Sequence, residues 1–318
     1  MHKLLITFDI EDFINPNAID ALRTVLEMLK KHRLNAIFFI TGHMAEKLSN
    51  FPEILDLLKN HEIGFHSSSH SVRPTIPEYA DVKSYHKAYS ISLERETAHI
   101  NPLTGKVEGK GGIYFLQDLF HPKKIEAYRA PGMSWTPPHL EALVDFGIKF
   151  DFSSNITTSE PFHYRGITFY PYTFTQLWEG SLSDYQCLFS AILKLKVAVF
   201  DLHPTLYVNQ NTWDSIYFKG NPRTLFGVSE RTLKEARTLF TRFELLLKQI
   251  NLLRHAKLIE VGPALSTPPR DLIIGKNDVQ KCYEKSIRWP KKIFNYSPRF
   301  IRAHFYEFFE AAAVKQYI

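Results

Sequence analysis

Three acids fall within four positions near the start of the chain: Asp9, Glu11 and Asp12 in "TFDIED". They follow an apolar run that begins at Leu4. Carboxylates at that density can take a proton from water or help hold a divalent cation. Further on, "GFHSSSH" sets His66 and His70 four residues apart, a spacing that on a turn or nascent helix brings both imidazoles to one side. Arg129 follows in "YRAPG", Asp151 in "FDFSS" and His203 in "FDLHP". Two histidines and one carboxylate, with a fourth position open, are the donor set of a catalytic zinc rather than a structural one. Each piece also has a plain reading. "HSSSH" can be a polar loop bonded to the backbone, Asp12 a helix N-cap, Arg129 a partner for Asp151, and His203 a loop histidine. Order and placement favour chemistry, because each group stands at the end of an apolar run.

Those runs alternate with amphipathic helical patterns. "KLLITFD" leads to a helix with Asn15 as N-cap, Pro16 in its first position and an apolar stripe at Ile19, Leu22, Val25, Leu26 and Leu29. "NAIFFITG", a helix around Ile54 to Leu58, and "EIGFH" come next. "TPPHLEALVDFG" predicts a helix capped at Thr136 and ended by Gly147, and a long helix is expected from Ser229 to about Ile250. Residues 103–127 and 205–228 read as long connections. Strand and helix in repeated alternation imply a parallel sheet with helices outside. The expected fold is an α/β, distorted (β/α) barrel of about seven parallel strands, since no glycine-rich phosphate loop follows the first strand. Its strand ends share one face, which would gather the groups above.

At these residues the chain resembles the polysaccharide deacetylases with a NodB homology domain, carbohydrate esterase family 4. "TFDIED" partly matches that family's first motif, "HSSSH" its second with Ser67 included, "RAPG" its third, "DFSS" at Asp151 more loosely its fourth, and "LHP" its fifth. The resemblance spans roughly Lys3 to Gly262. It implies a barrel with fewer than eight strands, a divalent metal, most often Zn2+ with Co2+ or Ni2+ as alternatives, and hydrolysis of an N-acetyl group from a sugar or glycan precursor. On that reading His66 and His70 hold the metal with a carboxylate. Asp9 is the general base and His203 the acid on the far side of the scissile bond. By family analogy Arg129 orients Asp9, and Asp151 tunes His203 or lines the groove. Pro131, Gly132, Ser67 and Trp178 are expected to meet the substrate. The first motif departs from the usual pair of adjacent acids and is closer to D-x-E-D variants. An extended strand puts Glu11 on the face of Asp9 and favours it as the ligand; a turn straight after Asp9 favours Asp12. Both stay open, with Glu11 preferred.

From about residue 265 the pattern changes, so a barrel at 1–264 and a basic, aromatic extension at 265–318 are expected. Between Lys276 and Arg302 eight basic residues face two acids, which accounts for the whole net charge of +6. The charge therefore belongs to the tail and argues against nucleic acid as a partner. The tail reads either as a peripheral contact with an anionic membrane or, preferably, as a helix capped at Ser297 whose stripe Ile301, Phe305, Phe308 and Ala312 packs on the barrel. No apolar run suits a signal peptide or a membrane span, and Cys187 and Cys282 lie far apart, so a cytoplasmic protein is expected. Two other functions fit the sequence: a related-barrel amidohydrolase acting on a non-sugar C–N bond, and an inactive glycan-binding protein.

Overall fold

A computed structural model describes residues 2–153, 161–164, 166–170, 174–175, 182–214 and 228–262, and in the C-terminal segment 284, 287–288, 291, 296–305 and 307. In chain order the elements are β1 (His2–Ile10), α1 (Ala18–His32), β2 (Ile37–Ile40), α2 (Gly42–Leu48), α3 (Pro52–Leu58), β3 (Glu62–Phe65), α4 (Ile76–Tyr79), α5 (Tyr85–Glu96), β4 (Ala98–Ile100), β5 (Val107–Lys110), α6 (Gly112–Phe120), β6 (Ala127–Tyr128), α7 (Pro137–Asp145), β7 (Phe150–Asp151), β8 (Phe162–Tyr164), β9 (Ile167–Phe169), β10 (Phe174–Thr175), α8 (Leu182–Lys194), β11 (Val197–Leu202), α9 (Leu233–His255) and β12 (Ile259–Val261). The fold is α/β with mostly parallel strands, as the alternating pattern predicts. The chain divides into two compact units. One comprises residues 1–40, 46–64 and 172–267, the other 41–45, 65–171 and 268–318.

In the first unit the strand order is β10-β11-β1-β2-β3, with β12 also on β1. β1 lies parallel to β11 from Lys3 to Phe8. Its other edge is shared, β12 pairing His2 to Leu4 and β2 pairing Thr7 to Ile10. A strand flanked on both edges and covered on both faces must be apolar almost throughout, and Leu4 to Ile10 are all buried. Phe8 stacks on Phe38 at 5.1 Å and meets the edge of Phe243 from α9 at 6.1 Å. Burial of side chains of this size contributes about 1.5–3 kcal/mol each. The whole expected stripe of α1, Ile19, Leu22, Val25, Leu26 and Leu29, is buried.

Two helix starts differ from expectation. α1 begins at Ala18 with Asn17 as N-cap, because Asn15 is engaged elsewhere, as described below. α9 begins at Leu233 rather than near Ser229: Thr232 and Glu235 form a reciprocal capping box, so the first turn is fixed there. The supposed connection 103–127 contains β5 and α6.

In the second unit the strand order is β6-β7-β9-β8, with β6, β7 and β9 parallel and β8 antiparallel to β9. β4 and β5 form a separate antiparallel pair. α7 starts behind Thr136, with Pro137 in its first turn, and ends before Gly147, whose φ of 87° suits glycine. Residues 301–305 are helical, and Ile301 and Phe305 are buried as the packed-helix reading expects. The start of this helix is held by Asp81 rather than by Ser297. The Asp81 carboxylate accepts the backbone N–H groups of Arg299 (2.7 Å), Phe300 (2.7 Å) and Ile301 (3.1 Å), and also the Tyr296 hydroxyl. Phe305 stacks on Trp135 at 4.8 Å. Phe308, Ala312, Trp178 and Cys282 lie outside the described residues, as does the side chain of Cys187. Among the described residues, no helix is long and apolar enough to cross a membrane.

Candidate functional site

In the first unit, register explains the acid cluster. Phe8 is opposite Leu202 in the β1–β11 pair, so the residues that follow, Asp9 and His203, emerge side by side. Nε2 of His203 lies 3.7 Å from Oδ2 of Asp9 and 4.0 Å from Oε2 of Glu11. Asp9 and Glu11 thus approach one imidazole, as the period-two alternation of an extended strand predicts. His203 is therefore a neighbour of Asp9 rather than a group set apart from it. All three acids are buried, at 4%, 6% and 1% exposure for Asp9, Glu11 and Asp12.

Asp12 is engaged locally. Its Oδ1 accepts the N–H groups of Ile14 (3.2 Å) and Asn15 (2.9 Å), and its Oδ2 accepts Nδ2 of Asn15 at 2.7 Å. Burial raises the Asp12 pKa, and the Asn15 bonds and the Lys47 charge offset that only in part. Lys47 donates to the carbonyls of Phe13 and Asn15, at 3.1 Å each. Asn15 accepts the Val228 N–H at 2.9 Å, which removes it from the helix cap. Asn17 and Asn209 exchange a reciprocal pair of amide hydrogen bonds, at 2.8 and 3.1 Å. The turn after β1 is thereby tied to the turn after His203.

Asp201 was not singled out from the sequence. It is 3% exposed, and its carboxylate, that of Asp9 and the His203 ring each offer an atom within 4.8 Å of the others. The signal was available: in "FDLHP" an acid stands two residues before the histidine, and strand alternation puts both on one side.

In the second unit, His66 follows the end of β3 and Arg129 the end of β6. The Arg129 N–H donates to the Phe65 carbonyl at 3.0 Å. His66 Nδ1 is 2.7 Å from the Arg129 carbonyl oxygen. A carbonyl can only accept, so Nδ1 carries a proton, as it does in a metal ligand oriented by a backbone carbonyl. His70 Nδ1 is bonded to the Ser71 hydroxyl. The two rings have centroids 5.1 Å apart. This donor pair fits a divalent metal with imidazole ligands.

The stretch between the two rings is a shaped loop and not a helical turn: Ser67 and His70 have φ of 66° and 45°. Ser67 is fully buried, and its hydroxyl donates to Glu96 at 3.2 Å. Pro131 is buried, while Gly132 is exposed with φ of 56°, in the left-handed region that favours glycine. Asp151 is buried, with Oδ1 accepting the Ser153 N–H at 2.7 Å and Oδ2 the Ser153 hydroxyl at 3.2 Å. Burial raises its pKa to about 7, although the Ser153 bonds and the Arg129 charge pull the other way. The Ser153 oxygen also accepts the Ala130 N–H at 2.7 Å, which joins the "RAPG" and "DFSS" segments. Arg129 is fully buried, and its charge is felt at Asp151.

Residues 2–150 match the family model described as polysaccharide deacetylase. The segment bearing Asp9, Glu11, Asp12, His66, His70 and Arg129 is thus similar to that family's model; Asp151 and His203 lie beyond the match. No curated protein matches the chain. Solved structures similar to it include a CE4 family pseudoenzyme from Bacillus anthracis, at 16% identity and a TM-score of 0.39, covering 78% of this chain and 61% of that one. Also similar are a CE4 esterase from Streptococcus mutans (14% identity, TM-score 0.42, covering 80% and 83%) and a peptidoglycan N-acetylglucosamine deacetylase (15% identity, TM-score 0.42, covering 85% and 90%). The chain spans less than two thirds of the length of the pseudoenzyme.

Proposed function

We propose that this protein is a metal-dependent hydrolase that removes the N-acetyl group from an N-acetylated sugar or glycan precursor. The observation that carries the reading is the His66 hydrogen bond: with Nδ1–H donated to the Arg129 carbonyl, the ring is oriented from behind as a metal-binding imidazole is, with Nε2 as the atom that would meet the metal. The match of residues 2–150 to the polysaccharide deacetylase model supports the same chemistry.

By the family resemblance, His66 and His70 would be the imidazole ligands and Glu11 the carboxylate. Glu11 is preferred because Asp12 has both oxygens engaged by Ile14 and Asn15. A bound Zn2+, or Co2+ or Ni2+ in its place, would supply a Lewis acid that lowers the pKa of water toward ~7 and draws charge from the acyl oxygen. Asp9 takes the proton from the attacking water, and His203 returns a proton to the departing nitrogen, since an amine leaves poorly unless protonated. At 3.7 Å the two groups are close enough to act on the same scissile bond, Asp9 on the attacking water and His203 on the departing nitrogen. Arg129 is a positioning residue by family analogy, and Asp151, bonded to Ser153, fixes the segment that follows Arg129.

The test is elemental analysis of the purified protein together with acetate release from a panel of N-acetylated hexosamines, free, nucleotide-linked and lipid-linked. Bound metal and released acetate support the proposal. Metal with cleavage of cyclic amides alone would move the reaction to another C–N bond. Absence of both would leave glycan binding as the function.

A further inference from the structure

We propose that Glu96 is the positioning residue of the His66–His70 loop, a buried carboxylate that fixes the backbone between the two imidazoles and so sets how they meet a divalent cation. The inference deepens the proposed function and rests on its assignment of those histidines as ligands.

Glu96 ends α5 and is 1% exposed. Its Oε1 accepts the Tyr79 hydroxyl (2.7 Å), His139 Nε2 (3.0 Å) and the Ser67 hydroxyl (3.2 Å), while Oε2 accepts the Ser68 N–H at 2.8 Å. Two of these four donors belong to residues that lie between the histidines. Burial alone would raise the Glu96 pKa, yet the bonds from His139, Tyr79 and Ser68 outweigh it and hold the group below its ordinary value. A carboxylate buried this deeply is a poor packing element and is retained only where its donors are fixed around it.

The loop needs such a brace. Ser67 and His70 are non-glycine residues in the left-handed region, a conformation that persists only where the surroundings over-determine it. Gly42 donates its N–H to the Ser67 carbonyl at 3.1 Å. Gly112, at φ of 54°, passes so close that a Cβ there would lie 2.0 Å from the Ser68 hydroxyl oxygen and 2.2 Å from the Glu96 carbonyl oxygen. A side chain at position 112 would therefore push on both Ser68 and the end of α5 that carries Glu96. His139 and Tyr79 complete the brace from α7 and α4.

The experiment uses the full chain, Co2+ alone as the probe, and two variants. Glu96→Gln replaces one acceptor oxygen by an amide that faces donors; Tyr79→Phe removes a single donor and leaves the fold least disturbed. For Glu96→Gln, Co2+ binding should weaken about 10–100-fold, the range seen when partners behind metal ligands are lost, and the visible Co2+ spectrum should change. In the metal-free protein, exchange of the Ser68 amide should accelerate about tenfold or more in either variant, while the core amides of β1 keep their protection. Wild-type Co2+ affinity, spectrum and Ser68 exchange in both variants would overturn the inference. Should Glu96→Gln fail to fold, Tyr79→Phe decides by the same readouts. A wild-type chain that binds no Co2+ would overturn the metal assignment, whereas accelerated Ser68 exchange in the variants would still establish the brace.

Discussion

His203 Nε2 stands 3.7 Å from Oδ2 of Asp9, because the strands that carry them are paired in register up to Phe8 and Leu202. The two groups proposed as base and acid are therefore adjacent. Replacing His203 by Gln keeps a hydrogen-bonding group beside Asp9 but cannot deliver a proton to a leaving amine. We expect acetate release to fall about 10²–10⁴-fold with metal content unchanged, checked by steady-state kinetics and elemental analysis of the same samples.

Glu11 and Asp12 separate by what each already holds. Glu11→Gln should empty the metal site. Asp12→Asn should retain metal but destabilise the chain by about 1–3 kcal/mol, because an amide would oppose the Asn15 amide donor in a buried turn. Metal content and urea denaturation check the pair; loss of metal in Asp12→Asn alone would reverse the assignment.

Asp151 makes a pH-dependent contribution with a definite sign. Its folded pKa, about 7, exceeds the 3.8 of an unperturbed aspartate, so the folded chain holds a proton that the unfolded chain has released. Stability from this group is present below about pH 4, declines as pH rises toward 7, and is level above that, by at most about 1.4 kcal/mol per pH unit. Asp151→Asn preserves an acceptor for Ser153 without titrating. Stability of wild type relative to this variant should therefore fall between pH 4 and 7, as measured by denaturant titration at each pH; a constant difference would contradict the assignment.

The C-terminal segment acts as part of the second unit. Phe305 is 1% exposed and stacked on Trp135. Phe305→Ala should cost about 3–5 kcal/mol, and Asp81→Ala, which removes the acceptor for three backbone N–H groups and the Tyr296 hydroxyl, about 1–2 kcal/mol. Equilibrium unfolding checks both, and effects within 0.5 kcal/mol of wild type would contradict the packing described.

What the sequence disclosed about the site was local. A carboxylate or histidine at the end of an apolar run marks a strand terminus in any parallel sheet, so Asp9, Glu11, His66, Arg129 and His203 could be placed on their elements by inspection. The stripe of α1 and the caps of α7 were legible for the same reason. The supports were not. Glu96 meets Ser68 across 28 residues, and Asp81 meets Arg299 across 218, and no periodicity connects such pairs. Asn15 looked like a helix cap because its side chain could serve there; a local bond to Asp12 and a tertiary one from Val228 took it first.

The most direct test of the central claim is Asp9→Asn in metal-loaded protein. Acetate release from the best N-acetylated sugar should fall by about 10²–10⁴-fold, the contribution of a general base, with metal content and thermal unfolding as in wild type. Full activity in Asp9→Asn with metal bound would contradict the account at its first step.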